Sequence, residues 1–251
     1  MKNVLVLILV LVFSLTIYVN YLAGAGQLNN IGTGDLSDLY PTLFTPAGFT
    51  FSIWGVIYLF NTIFCVIQII RLFKSPSSIN TKLILDFLFV CIFNVAWLVT
   101  WHYELLLLSV IVMLMLLSSL IYGLIESRRH RLESKQNYFE YINFSVYLGW
   151  ISVATIANVS AYLYTLEFAP DLQVELTILM IVIAAILALF FSFKLGNYAF
   201  GLVVVWALFG IHKARITDPS DGVNLIALLT LICMALILLS MARKWSKKMV
   251  K

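Results

Sequence analysis

The sequence predicts an all-α integral membrane protein with about eight transmembrane helices. Three observations carry this. Hydrophobic residues make up 62% of the 251 and charged residues 11%, whereas soluble domains are about 25% charged. A water-soluble fold of this length has no means of burying so much apolar surface. The apolar residues also gather into eight runs, 4–24, 48–70, 83–101, 105–125, 142–164, 174–193, 197–212 and 222–242. Most are about 20 residues long, enough to cross a hydrocarbon core of roughly 30 Å. Finally, the basic residues keep to alternate connections. With the N-terminus inside, every Lys and Arg of the 16 except Lys213 and Arg215 falls on one side. That bias predicts both termini in the cytoplasm, and it suits a bacterial inner membrane.

The first run begins Met1-Lys2-Asn3 and is followed by Ala23-Gly24-Ala25, as a cleaved signal peptide would be. Its length, and Tyr18 and Tyr21 placed as interfacial anchors, favour an uncleaved helix. The connection 25–47 is rich in turn formers, with Asn29-Asn30, Gly32-Thr33-Gly34, Pro41 and Pro46. Thr45 is suited to cap the next helix and Pro46 to sit in its first turn. Loop 126–141 is basic and reads as a cytoplasmic topology determinant. The C-terminal cluster of Arg243, Lys244, Lys247, Lys248 and Lys251 reads the same way, with added attraction to anionic lipid headgroups. The run at 197–212 is the shortest and the least secure crossing.

The composition also excludes functions. A formal charge of +4 is too small to suggest a nucleic-acid partner. Cys65, Cys91 and Cys233 lie within apolar runs without pairing or metal-type spacing, and read as reduced filler. The three histidines form no metal pattern; His102, with Glu104 in a short turn, reads as solvated, and so does His212. No nucleophile–base pair or phosphate loop appears, so no catalytic residue and no required cofactor are assigned. Asp86 sits near the inner end of its helix, where a carboxylate suits the N-terminal dipole.

The informative residues are polar and aromatic ones inside apolar runs. In the second run Phe51, Trp54, Tyr58, Asn61, Cys65 and Gln68 recur at steps of three and four, placing them on one helical face. Such a face needs partner helices or a ligand. In the third run Asn94 and Trp97 are three apart. An asparagine inside the bilayer needs a partner, either a neighbouring helix or a ligand. In the fifth run Trp150, Ala154, Ala157, Asn158 and Ala161 share a stripe. Small residues there admit either a close helix or a flat ligand with an aromatic wall.

Three of these segments together resemble the TspO/MBR family, the tryptophan-rich sensory or translocator proteins. Pro46-Ala47-Gly48-Phe49-Thr50-Phe51-Ser52-Ile53-Trp54 with Tyr58 resembles the family's P-P-x-W-x-F-G-x-V-W-x-x-x-Y. Phe93-Asn94-Val95-Ala96-Trp97 resembles its L-N-x-x-W, and Tyr147 to Asn158 its Y-L-x-W-x-x-x-A-T-x-L-N. The resemblance covers residues 1–165, a five-helix bundle, and leaves 166–251 as a three-helix extension with a basic tail. It implies a membrane protein that binds a flat hydrophobic ligand such as a tetrapyrrole, a porphyrin or heme-type molecule. The implied role is sensory, regulatory or in translocation. Phe51, Trp54, Tyr58, Asn94, Trp97, Trp150, Ala154 and Asn158 are then the expected ligand-binding residues, in a cavity under loop 25–47. The family's second motif proline is missing, Phe49 stands for its first motif tryptophan, and its W-R-D-N ending is absent after Asn158, so sterol binding does not carry over. The extra helices could cap the bundle, replace a homodimer interface or form part of a path. The rival readings are a secondary transporter using all eight helices, a membrane enzyme acting on a lipid or pigment, and a structural or regulatory partner whose tryptophan faces serve only packing.

Overall fold

A computed structural model describes residues 2–133, 137–216, 218 and 222–249, without the side chains of 133 and 244–249. Lys135 and Lys251, and the side chains of Lys244, Lys247 and Lys248, therefore lie outside the described residues. The described residues contain no strand. They form eight long helices and one short one: α1 (Lys2–Gly24), α2 (Thr33–Asp38), α3 (Ile53–Lys74), α4 (Thr81–His102), α5 (Leu106–Glu133), α6 (Tyr138–Thr165), α7 (Gln173–Leu189), α8 (Tyr198–Arg215) and α9 (Val223–Met249).

Seven of the long helices are long and apolar enough to cross a membrane. The exception is α8, the least secure of the eight runs. Its 18 residues end on His212-Lys213-Ala214-Arg215, so its apolar part falls short of the roughly 30 Å that a crossing needs. Along α1, Val4, Leu7, Leu11 and Leu15 form an exposed apolar stripe. That pattern suits lipid as the surrounding solvent, because no water-driven burial is needed on that face.

The chain divides into two compact units. The first comprises Met1–Leu36 and Ser52–Leu148, and holds α1, α3, α4, α5 and the start of α6. Its centre is a ring cluster in which Phe87 touches Phe64 at 4.9 Å, Phe13 at 5.9 Å and Phe144 at 6.1 Å. Gly123 makes this packing feasible: a Cβ there would overlap both the Phe144 ring and the Asp86 carboxylate. Asn80 caps α4 by accepting from the Lys82 and Leu83 amides at 3.1 and 3.2 Å. Asp86 lies beyond the first turn of α4 and is buried. The dipole reading of this residue is therefore corrected: its carboxylate packs against the bare backbone of Gly123.

The second unit comprises Ser37–Phe51 and Gly149–Lys251, with the rest of α6 and α7, α8 and α9. Phe191, in the π-helical end of α7, stacks on Phe200 of α8 at 4.1 Å. The segment 47–51 is held against α8. The Ala47 amide donates to Gly210 O at 3.1 Å, and Trp206 Nε1 donates to Thr50 O at 3.0 Å. Gly210 is required here, since a Cβ would run into the Thr50 side chain. These bonds explain a difference from the sequence expectation. A 3-10 turn, Gly48–Ser52, precedes α3, and Thr45 does not cap it but pairs with the Thr42 hydroxyl at 2.9 Å.

Connection 25–47 is not a single loop. It contains α2, and its residues divide between the units. Loop 126–141 is likewise mostly helix, because α5 runs to Glu133 and α6 starts at Tyr138.

Candidate functional site

In the first unit the start of α3 and the C-terminal half of α4 bring four of the expected residues together. Trp54 stacks on Tyr58 one turn later, with ring centroids 5.6 Å apart and planes at 14°. It also stacks on Trp97 of α4 at 5.9 Å and 25°. Tyr147 of α6 meets the Trp54 ring edge-on at 6.0 Å, and Trp97 continues the stack to Trp101 at 6.3 Å. The result is a wall of nearly parallel rings, the arrangement that their quadrupoles favour when offset.

A polar line runs beside this wall. The Tyr58 hydroxyl donates to Asn20 Oδ1, and Asn20 Nδ2 donates to Asn94 Oδ1 at 2.7 Å. Asn20 Nδ2 also reaches Thr16 O at 2.8 Å. Asn94 is 0% exposed. Its side chain faces the Tyr58 and Tyr147 hydroxyls, yet its Nδ2 makes no hydrogen bond of good geometry to either. A buried amide N–H without a partner costs about 1–3 kcal/mol. The chemistry this arrangement offers is a flat apolar surface with one donor beside it.

The other four expected residues belong to the second unit. There Phe51 meets Trp150 edge-on at 5.9 Å, with planes at 82°. Trp150 is buried, and Ala154 and Asn158 follow at one and two turns along α6, half-buried and buried. Phe49, standing where the family motif has a tryptophan, packs on Trp206 at 5.5 Å and Phe209 at 5.9 Å.

Two members of the aromatic cluster, Asn20 and Tyr147, were not among the expected residues. Asn20 is a single amide near the end of an otherwise apolar helix, flanked by tyrosines that read as interfacial anchors. A larger omission lies further along α3, roughly 25 Å from Trp54 at 1.5 Å per residue. There the Glu140 carboxylate, 1% exposed, accepts from Gln68 Nε2 at 2.9 Å and from Arg71 through Oε1. Its Oε2 meets His130 Nδ1 at 2.6 Å. Arg71 also donates to Asn137 Oδ1 at 2.8 Å, and Asn137 Nδ2 donates to His130 O at 2.8 Å. All five residues are buried. Reading Arg71 as a topology cation and 126–141 as a solvated loop misses them, because helix α5 carries His130 inward and α6 starts soon enough to bury Glu140.

The two remaining histidines also differ from the sequence reading. His102 is 0% exposed. Its Nδ1 bonds to Leu28 O and its Nε2 to the Thr33 hydroxyl, each at 3.0 Å, while its own carbonyl accepts from Asn29 Nδ2 at 2.7 Å. It thus ties residues 28–33 to the end of α4. His212 is buried and bonds to Ala227 O at 3.0 Å, joining α8 to α9. Among the described residues no three of His, Cys, Asp and Glu come together as a metal site.

A family model described as TSPO-like protein matches residues 6–243. The match runs through α7, α8 and most of α9, the region that the sequence resemblance left as an extension. Comparison with curated proteins and with solved structures gives no match.

Proposed function

The chain belongs to the TSPO-like family, and on that premise we propose that it is a membrane receptor for a flat hydrophobic ligand of the tetrapyrrole class, with a sensory, regulatory or translocation role. The observation that carries the reading is the pairing of the Trp54–Tyr58–Trp97 stack with the unpaired Nδ2 of Asn94. A planar macrocycle would lie against the rings and offer a ring-edge or carboxylate acceptor to Asn94. The rings touch one another, so binding would part Trp54 from Trp97 and exchange one aromatic contact for another. Phe51, Trp150, Ala154 and Asn158, which lie in the second unit, are proposed as ligand-binding residues in their own right, and Asn158→Leu tests them.

The test is a titration of the purified protein with protoporphyrin in detergent, followed by quenching of tryptophan fluorescence. Saturable quenching is expected, weakened in Trp54→Ala and in Asn158→Leu. If both variants bind as tightly as the parent, the assignment of the site is wrong.

We also propose that both termini face the cytoplasm of a bacterial inner membrane. This requires α8 to cross, since seven crossings would put the termini on opposite sides. Labelling single cysteines introduced at Asn3 and Arg243 with an impermeant maleimide in intact cells decides it. Protection of both supports eight crossings, and labelling of Arg243→Cys alone refutes them.

A further inference from the structure

The second unit contains a pocket that the aromatic cluster does not use. Its enclosed cavity is small, about 50 Å³, and opens into a wider mouth that brings the total space to about 410 Å³. It lies where α6 ends and α7 begins, with residues 42–44 as a third wall. Phe44 and Met180 supply apolar wall, Ser160 and Thr177 are buried hydroxyl residues within it, and Tyr164 and Phe168 line it at 41% and 55% exposure. The floor is thus apolar with two polar points, and the rim carries two partly open aromatic rings.

The charged residues in the segments that line it have one sign. Glu167 precedes the rim residue Phe168, and Asp171 and Glu175 flank Gln173, another lining residue; all three carboxylates are exposed. Among the described residues none of the three forms an ion pair. No Lys or Arg occurs between residues 3 and 70 or between 136 and 193, the stretches that supply every wall of the pocket. Of the cations on α8, Arg215 is paired with Asp218, and Lys213 lies over the Phe209 ring. Aromatic faces next to uncompensated carboxylates attract an organic cation, through ring quadrupole and through charge. An anion or a zwitterion with an outward acid would be repelled.

We propose that this pocket is a second binding site, for an amphipathic organic cation. The apolar tail would lie between Phe44 and Met180, and the ammonium group at the rim between the Tyr164 and Phe168 rings and the acidic turn. The site is separate from the proposed tetrapyrrole site and does not depend on it.

The test uses a dansyl-hexyl-trimethylammonium probe and its uncharged tert-butyl counterpart of the same shape, with the full-length protein in maltoside detergent. Dansyl fluorescence reports binding. The cation is expected to bind about tenfold or more tighter than the neutral probe, since two or three carboxylates and a cation–π contact each add to its affinity. Thr177→Phe, which fills the pocket, should abolish binding of both probes. The surface variant Glu167→Gln/Asp171→Asn/Glu175→Gln should cut the cation's preference to the few-fold that the cation–π contact leaves. Trp54→Ala should leave both affinities unchanged, which separates this site from the tetrapyrrole reading. Equal affinity for the two probes in the parent protein overturns the proposal, and so does cation binding that survives Thr177→Phe. Should Thr177→Phe fail to fold, the exposed triple variant decides alone: an undiminished preference for the cation overturns the proposal, and a reduced one supports it.

Discussion

Two buried polar clusters lie on the same helix of the first unit, and they differ in how completely they are satisfied. Around Glu140 both carboxylate oxygens are engaged: they take Gln68, Arg71 and His130, and Arg71 also takes Asn137. None of the five has a buried polar atom without a partner. Around Asn94 the polar line stops short, with one amide donor unpaired beside a stack of rings. A closed network has nothing left to offer a ligand and serves to hold α3, α5 and α6 together. An open one beside an apolar wall is the arrangement that the proposed ligand would use. The same element thus carries a lock at one end and a candidate receptor at the other, and polarity alone does not distinguish them.

The largest expected effect breaks the lock. Glu140→Leu leaves Arg71 buried without its carboxylate, which costs about 3–5 kcal/mol of stability. Chemical denaturation in detergent should show this, and porphyrin affinity should survive in whatever protein remains folded. The next effect falls on the wall. Trp54→Ala removes the central ring of the stack and should weaken porphyrin binding by about 1–2 kcal/mol, roughly five- to thirtyfold in Kd. Its effect on unfolding should be smaller than that of Glu140→Leu, because Trp54 is only partly buried.

A comparable effect on stability, without one on the first cluster, is expected from Gly210→Ala in the second unit. The added methyl collides with Thr50, an overpacking that costs about 1–3 kcal/mol. Thr50→Gly in the same chain should restore most of it. The smallest effect sharpens the comparison at a single atom. Tyr58→Phe removes the hydroxyl that bonds to Asn20, and should cost about 0.5–1.5 kcal/mol of stability. Porphyrin affinity should change less than in Trp54→Ala.

Much of this was legible in the chain because lipid imposes a simple rule: every crossing segment must be a long apolar helix. The eight apolar runs accordingly coincide with the eight long helices, and the face from Trp54 to Gln68 turns inward, with Asn61, Cys65 and Gln68 buried. What stayed hidden was the pairing between segments. Glu140 and Arg71 are distant in sequence, and each stands at a helix end, where a charge ordinarily meets water. Only the continuation of α5 as far as Glu133 brings His130 into the same place. His102 was hidden for a similar reason, since a turn residue looks solvated until Leu28 and Thr33 are seen to fold over it. Asn20 is an isolated polar residue of α1 whose partner, Asn94, lies on α4. The role of α8 in gripping residues 47–51 rests on a close approach at Gly210, which no periodicity signals.

The central claim is that the open cluster binds and the closed one holds. Its most direct test is the protoporphyrin Kd of Asn94→Leu measured beside that of Glu140→Gln, at a temperature where both are folded. A several-fold higher Kd is expected for Asn94→Leu, the loss of one hydrogen bond, and the parent value for Glu140→Gln. Unchanged affinity in Asn94→Leu together with weakened binding in Glu140→Gln would contradict it.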